Sequence, residues 1–134
     1  MHTSSKRQLA AILFADIVGY SALMQQDELA AIAKLNHFKQ QIHEKTSHYN
    51  GQIIQFYGDG CLITFNSASD AAACAAALQI IFQEIPLVPT RIGIHSGEVL
   101  FKEGNIFGDS VNITSRIEAI TYYNQPKKNQ KDGC

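Results

Sequence analysis

The stretch from Leu9 to Ser21 constrains this chain most. Leu9 to Phe14 is apolar, Asp16 follows after Ala15, and Gly19 and Ser21 come next. An apolar run this short, with no helical spacing of polar residues, reads as a buried strand over 8–16. The acid then marks the point where the strand leaves the core, because an unpaired carboxylate is expensive to bury. Gly19 permits a tight turn, and Ser21 is placed to cap a following helix. A carboxylate beside free backbone N–H groups at a helix start suits a cation that is itself bound to a polyphosphate.

A second acidic turn lies downstream at Tyr57-Gly58-Asp59-Gly60. It separates the β-rich runs Gln52–Tyr57 and Cys61–Phe65, and an Asp-Gly step between two such runs predicts a hairpin with Asp59 at its tip. Between the two acidic turns the spacing predicts a helix from near Ser21, strongest from Asp27 to Tyr49. Leu29, Ile32, Ala33, Leu35, Phe38 and Ile42 form its apolar stripe, and Asn50-Gly51 ends it. A further helix is expected over Ala71–Ile85, with Ala75, Leu78, Ile81 and Phe82 inward and caps available in Asn66–Asp70. Pro86 stops it. Residues 90–101 read as a strand with a glycine break, Lys102–Asn105 as a turn, and Val111–Ile120 as a last helix.

The order β-α-β-β-α-β followed by a helix describes an α+β domain of ferredoxin-like or palm type, one sheet with helices on one face. Residues 1–7 form a polar extension, 8–121 the domain, and 122–134 a polar stretch without periodicity that is expected to be disordered.

Composition narrows the function classes. With 134 residues, 46% apolar and 17% charged, the chain suits one globular domain with a real core. A net charge of −1 gives no support for a nucleic-acid surface. No run reaches the roughly 20 apolar residues a bilayer span needs. Cys61, Cys74 and Cys134 lack a CxxC pair and read as reduced thiols in a cytoplasmic protein. His37, His43 and His48 lack the i, i+4 spacing of a zinc pair, and His95 reads as a core histidine.

Asp16 and Asp59 are the first candidates for chemistry. Alone, each is an ordinary turn residue. Brought together, two carboxylates repel unless a cation sits between them. Asn112 and Arg116 lie four apart on the last helix and share a face. An amide beside a forked guanidinium suits a ribose and a phosphate undergoing displacement.

These residues fall in four blocks: Leu13–Ser21, Tyr57–Gly60, Arg91–Gly97 and Gly108–Arg116. In this order and spacing they resemble the catalytic domain of the class III nucleotidyl cyclases, the adenylate and guanylate cyclase family, over about residues 7–120. The resemblance implies two Mg²⁺ or Mn²⁺ ions per site on Asp16 and Asp59, with the Ile17 carbonyl as an extra ligand. It implies β- and γ-phosphate contacts from Gly19, Tyr20 and Ser21, and a triphosphate contact from Arg91. Asn112 would orient the ribose, and Arg116 would stabilise charge on the α-phosphate. The substrate would be ATP or GTP, with composite sites in a homodimer or a cyclase heterodimer.

The sequence departs from the adenylate cyclase pattern at both base-reading positions. Gln55 stands where that pattern has Lys, and Asn105 where it has an acidic or hydroxyl residue. Amides donate and accept, so weak base selection is expected. The family's last strands, with a triphosphate-gripping Lys, have no counterpart after the Arg116 helix, and the domain reads as truncated there. The rival expectation is a catalytically inactive cyclase-homology module that binds nucleotide or pairs with another subunit. A diguanylate cyclase is a more distant alternative, and its GG(D/E)EF hairpin is absent.

Overall fold

The computed structural model describes residues 5–102, 105–107 and 123–124. The elements are β1 (Ser5–Ile17), α1 (Tyr20–Gln26), α2 (Glu28–His48), β2 (Gly51–Tyr57), β3 (Gly60–Phe65), α3 (Ala68–Phe82), β4 (Thr90–Lys102), β5 (Asn105–Phe107) and β6 (Tyr123–Asn124). The sheet runs β2-β3-β1-β4-β5, every pairing is antiparallel, and β6 adds to β4. The first four strands with α2 and α3 are the expected β-α-β-β-α-β unit.

Alternation along β1 divides the core. Ala11, Leu13, Ala15 and Ile17 join Phe38 and Ile42 of α2 and Ala71, Cys74, Leu78 and Phe82 of α3 in one buried cluster. Ala10 and Ile12 face the other way, with Leu62 and Val99. Successive strand side chains point to opposite faces, so one strand builds both.

Several boundaries differ from the sequence reading. β1 begins at Ser5, inside the stretch expected as a polar extension. On α2 the buried line is Ala31, Phe38, Gln41, Ile42 and Thr46. Leu29 and Ile32 are exposed (81% and 39%), and Ala33 is exposed too. These three lie off the line that 31, 38 and 42 define, and α1 packs against α2 near this end. α2 starts as expected, with Asp27 accepting from the Ala30 N–H at 3.1 Å. At its end Asn50 takes the left-handed conformation (φ 63°). Gly51 is not a cap but the first residue of β2. A Cβ there would meet the Phe65 ring at 2.5 Å and Thr46 Cγ2 at 2.9 Å.

α3 runs from Ala68 to Phe82, three residues earlier at each end than expected. Ser67 caps it by accepting from the Asp70 N–H. Ile85 is left exposed. No glycine break interrupts β4, which pairs with β1 continuously from Thr90 opposite Ile17 to Lys102 opposite Ser5. Gly93 and Gly97 lie opposite Phe14 and Ala10 and keep the ladder intact. The stretch expected to be disordered from 122 contains β6, whose Tyr123 pairs with Arg91. The expected helix Val111–Ile120 and the rest of the tail lie outside the described residues.

Candidate active site

The exit of β1 is pinned on both sides. The Ile17 N–H donates to the Asp59 carbonyl at 3.1 Å, and the Val18 N–H to the Pro89 carbonyl at 2.8 Å. The first bond ties β1 to the β2–β3 hairpin tip, the second to the loop before β4. Three chain segments distant in sequence therefore meet where Asp16 emerges.

Gly19 follows with φ 75°, a conformation that favours glycine, and is itself the N-cap of α1. The expected cap, Ser21, lies instead inside the helix and is exposed. The helix is capped two residues earlier than the sequence suggested, because the left-handed glycine makes the reversal alone. Tyr20 packs against the helix-side core.

Asp16 and Arg91 stand directly opposite each other on β1 and β4. The guanidinium forks the carboxylate, with Nε to Oδ1 at 3.2 Å and Nη2 to Oδ2 at 3.1 Å. The side chains are 18% and 34% exposed, respectively. Such bidentate pairs are among the stronger charge-assisted contacts.

Asp59 sits between Gly58 (φ 60°) and Gly60 at the hairpin tip, as the Asp-Gly step predicts. Partial burial pushes its carboxyl pKa up. A backbone hydrogen bond within the residue pulls the other way, the negative charge of Asp16 raises it further, and Arg91 lowers it; the net shift is upward. Asp59 thus feels the charges of both Asp16 and Arg91, and its own anionic form is disfavoured.

That donor chemistry fits hard divalent cations. Two carboxylates lie either side of the Ile17 peptide, whose N–H donates to the Asp59 carbonyl, and oxygen ligands suit Mg²⁺ or Mn²⁺ over softer metals. Among the described residues no three His, Cys, Asp or Glu side chains cluster, so Asp16 and Asp59 have no third such side chain beside them.

Gln55 reaches the same face of the sheet through a β-bulge. The register passes from Ile53 opposite Ile63 to Gln55 opposite Leu62, leaving Ile54 as the extra residue. Regular alternation would have turned Gln55 toward the helices. With the bulge, Phe56 takes that side, beside Lys39 and His43 of α2. Gln55 and Tyr57 lie on the open face with Phe14 and Asp16. Phe14 and Tyr57 stack at 6.3 Å and form an aromatic floor next to the acids. The sequence reading missed this pair and the bulge; the adjacent isoleucines 53 and 54, which break the alternation, were the readable signal.

Asn105 opens β5, paired with Lys102, and β5 also contacts β2, so the two positions expected to read a base lie on touching strands. Asn112 and Arg116 lie outside the described residues. A separate cavity of about 430 Å³ is lined by Gln8, Asn50, Gln52, Thr64 and Asn66, but at the opposite end of the strands from Asp16.

The remaining expectations are simpler. Cys61 and Cys74 are buried, and burial above all pushes their thiols up to about 12 and about 11, so both are inert core residues. His95 is only partly buried, on the open face opposite Ile12, rather than a core residue. No described helix is long and apolar enough to cross a membrane.

Residues 3–125 match the family model of the adenylate and guanylate cyclase catalytic domain. A Rhizobium meliloti protein provisionally named adenylate cyclase 3 is 38% identical over 125 residues, covering 87% of this chain and 21% of that protein. An adenylate/guanylate cyclase/hydrolase structure from Silicibacter pomeroyi superposes with a TM-score of 0.82 at 35% identity, covering 90% of this chain and 75% of the other. The guanylyl cyclase Cya2 superposes at 0.77 with 26% identity, over 88% and 73%. The chain belongs to the adenylate and guanylate cyclase catalytic domain family. It spans about a fifth of the length of the Rhizobium relative.

Proposed function

We propose that this chain is the catalytic domain of a nucleotidyl cyclase that converts ATP or GTP to the 3′,5′-cyclic nucleotide and pyrophosphate. The observation that carries this reading is the convergence of Asp16, Asp59 and Arg91 at the exit of β1. Asp16, Asp59 and the Ile17 carbonyl would hold two Mg²⁺ or Mn²⁺ ions. Bound there, the cations neutralise triphosphate charge and increase the acidity of the ribose 3′-hydroxyl.

The chain's own residues position and neutralise. Gly19, Tyr20 and Ser21 offer backbone N–H groups to the β- and γ-phosphates, and Arg91 a guanidinium to the triphosphate. Asn112 orients the ribose, and Arg116 stabilises charge gathering on the α-phosphate. Gln55 and Asn105 read the base with amides that both donate and accept, so discrimination between adenine and guanine is weak. Two chains complete each site: Asp16 and Asp59 come from one, Asn112 and Arg116 from the other, in a homodimer or a heterodimer with another cyclase subunit. The cytoplasm, with its nucleotides and reduced thiols, is the compartment this chemistry requires.

A second reading is a non-catalytic module that binds nucleotide or pairs with a cyclase subunit. Gln55, standing exposed where adenylate cyclases have Lys, favours it. Incubation with Mn²⁺ and ATP or GTP separates the two. Cyclic product that disappears in Asp59→Ala and Arg116→Ala supports the enzyme. Equal background from all three proteins supports the module.

A further inference from the structure

We propose that Arg91 is a displaceable counter-ion for Asp16, which keeps a divalent cation off that carboxylate until a triphosphate draws the guanidinium away. The inference rests on the reading that Asp16 and Asp59 receive divalent cations.

Three observations carry it. Both carboxylate oxygens of Asp16 accept from the fork, at 3.2 and 3.1 Å, so one lone pair on each is engaged and a positive charge already stands where a cation would approach. The pair is set by the sheet, since the two residues are direct partners in the β1–β4 register. Arg91 therefore meets Asp16 without any loop having to close. Both side chains remain partly open to solvent, which leaves an exchange route.

The exchange follows from matching chemistry. A guanidinium fork fits carboxylate and phosphate oxygens alike. Without ligand, Arg91 relieves the repulsion between Asp16 and Asp59. With a triphosphate nearby, the same fork has a more highly charged partner, and Asp16 is released to a cation. Cation and nucleotide then favour each other's binding, and linkage makes the effect reciprocal. Bare cation alone must compete with a tethered, correctly aimed guanidinium.

The test is Mn²⁺ binding to the full chain, followed by electron paramagnetic resonance with no nucleotide present. Arg91→Gln removes charge and fork together, while Arg91→Lys keeps the charge and loses the fork. The expected result is that Arg91→Gln binds Mn²⁺ at least about fivefold tighter than wild type, that Arg91→Lys gains less, and that Asp16→Asn in either background abolishes the gain. Melting curves confirm that each variant is folded. If Arg91→Gln binds Mn²⁺ no tighter than wild type, or if its gain survives Asp16→Asn as a general charge effect would, the counter-ion role is overturned. If neither wild type nor any variant binds Mn²⁺, even with a 3′-deoxy triphosphate that cannot cyclise, the cation reading itself fails and the counter-ion role falls with it.

Discussion

The two faces of the sheet use the same strands for different ends. On the helix side, Leu13, Ala15, Ile17, Ile63 and Phe65 are apolar and buried against α2 and α3. On the open side, the neighbours of those residues are Phe14, Asp16, Gln55, Tyr57 and Arg91, partly or fully exposed and rich in hydrogen-bonding groups. Period-two alternation lets each strand carry a fold-specifying residue and a chemical one in adjacent positions. Substitutions on the two faces should therefore separate stability from activity.

The sharpest test of that separation is Asp59→Ala. It should reduce cyclase turnover by about 10³-fold or more while leaving the melting temperature close to wild type, as steady-state assays and calorimetry would show. Phe38→Ala, on the covered face, should do the reverse. It removes a fully buried ring stacked on Phe82 at 5.6 Å and should destabilise by about 3–5 kcal/mol in denaturant titrations. Activity per folded molecule should be unchanged at low temperature. Gly51→Ala should cost about 1–3 kcal/mol, because its new methyl meets Phe65 and Thr46. An equal loss of turnover and stability in any of these variants would break the division between faces.

A smaller effect comes from Asp59 alone. Its pKa is raised above the ordinary 3.8, chiefly by burial. Between 3.8 and the raised value the folded chain holds more protons than the unfolded one, so Asp59's contribution to stability falls as pH rises through that window. Metal-free Asp59→Asn should thus melt slightly higher than wild type at pH 7, and the difference should vanish below the window. A difference that grows on acidification would contradict the burial argument.

What could be read in advance follows the range of each interaction. β1, the hairpin and its Asp59 tip were legible, because alternation and an Asp-Gly step are local signals. The stripe on α2 was misplaced at Leu29 and Ile32, since apolar character does not reveal which helical line meets the sheet. The orientation of Gln55 depends on a bulge, and a bulge is defined only by the opposite strand. The fork between Arg91 and Asp16 joins residues 75 apart in sequence and has no local signature. The resemblance to cyclases had linked Arg91 to triphosphate; its pairing with Asp16 is visible only in three dimensions.

The central claim is that Asp16 and Asp59 act as one cation-binding unit on the open face. A double-mutant cycle on Mn²⁺ affinity measures this most directly, with a 3′-deoxy nucleotide triphosphate present and Asp16→Asn, Asp59→Asn and the double variant compared. The account predicts that each single change weakens binding severely and that the second adds far less than its effect alone. Independent, additive losses, or single variants that bind as wild type does, would contradict it.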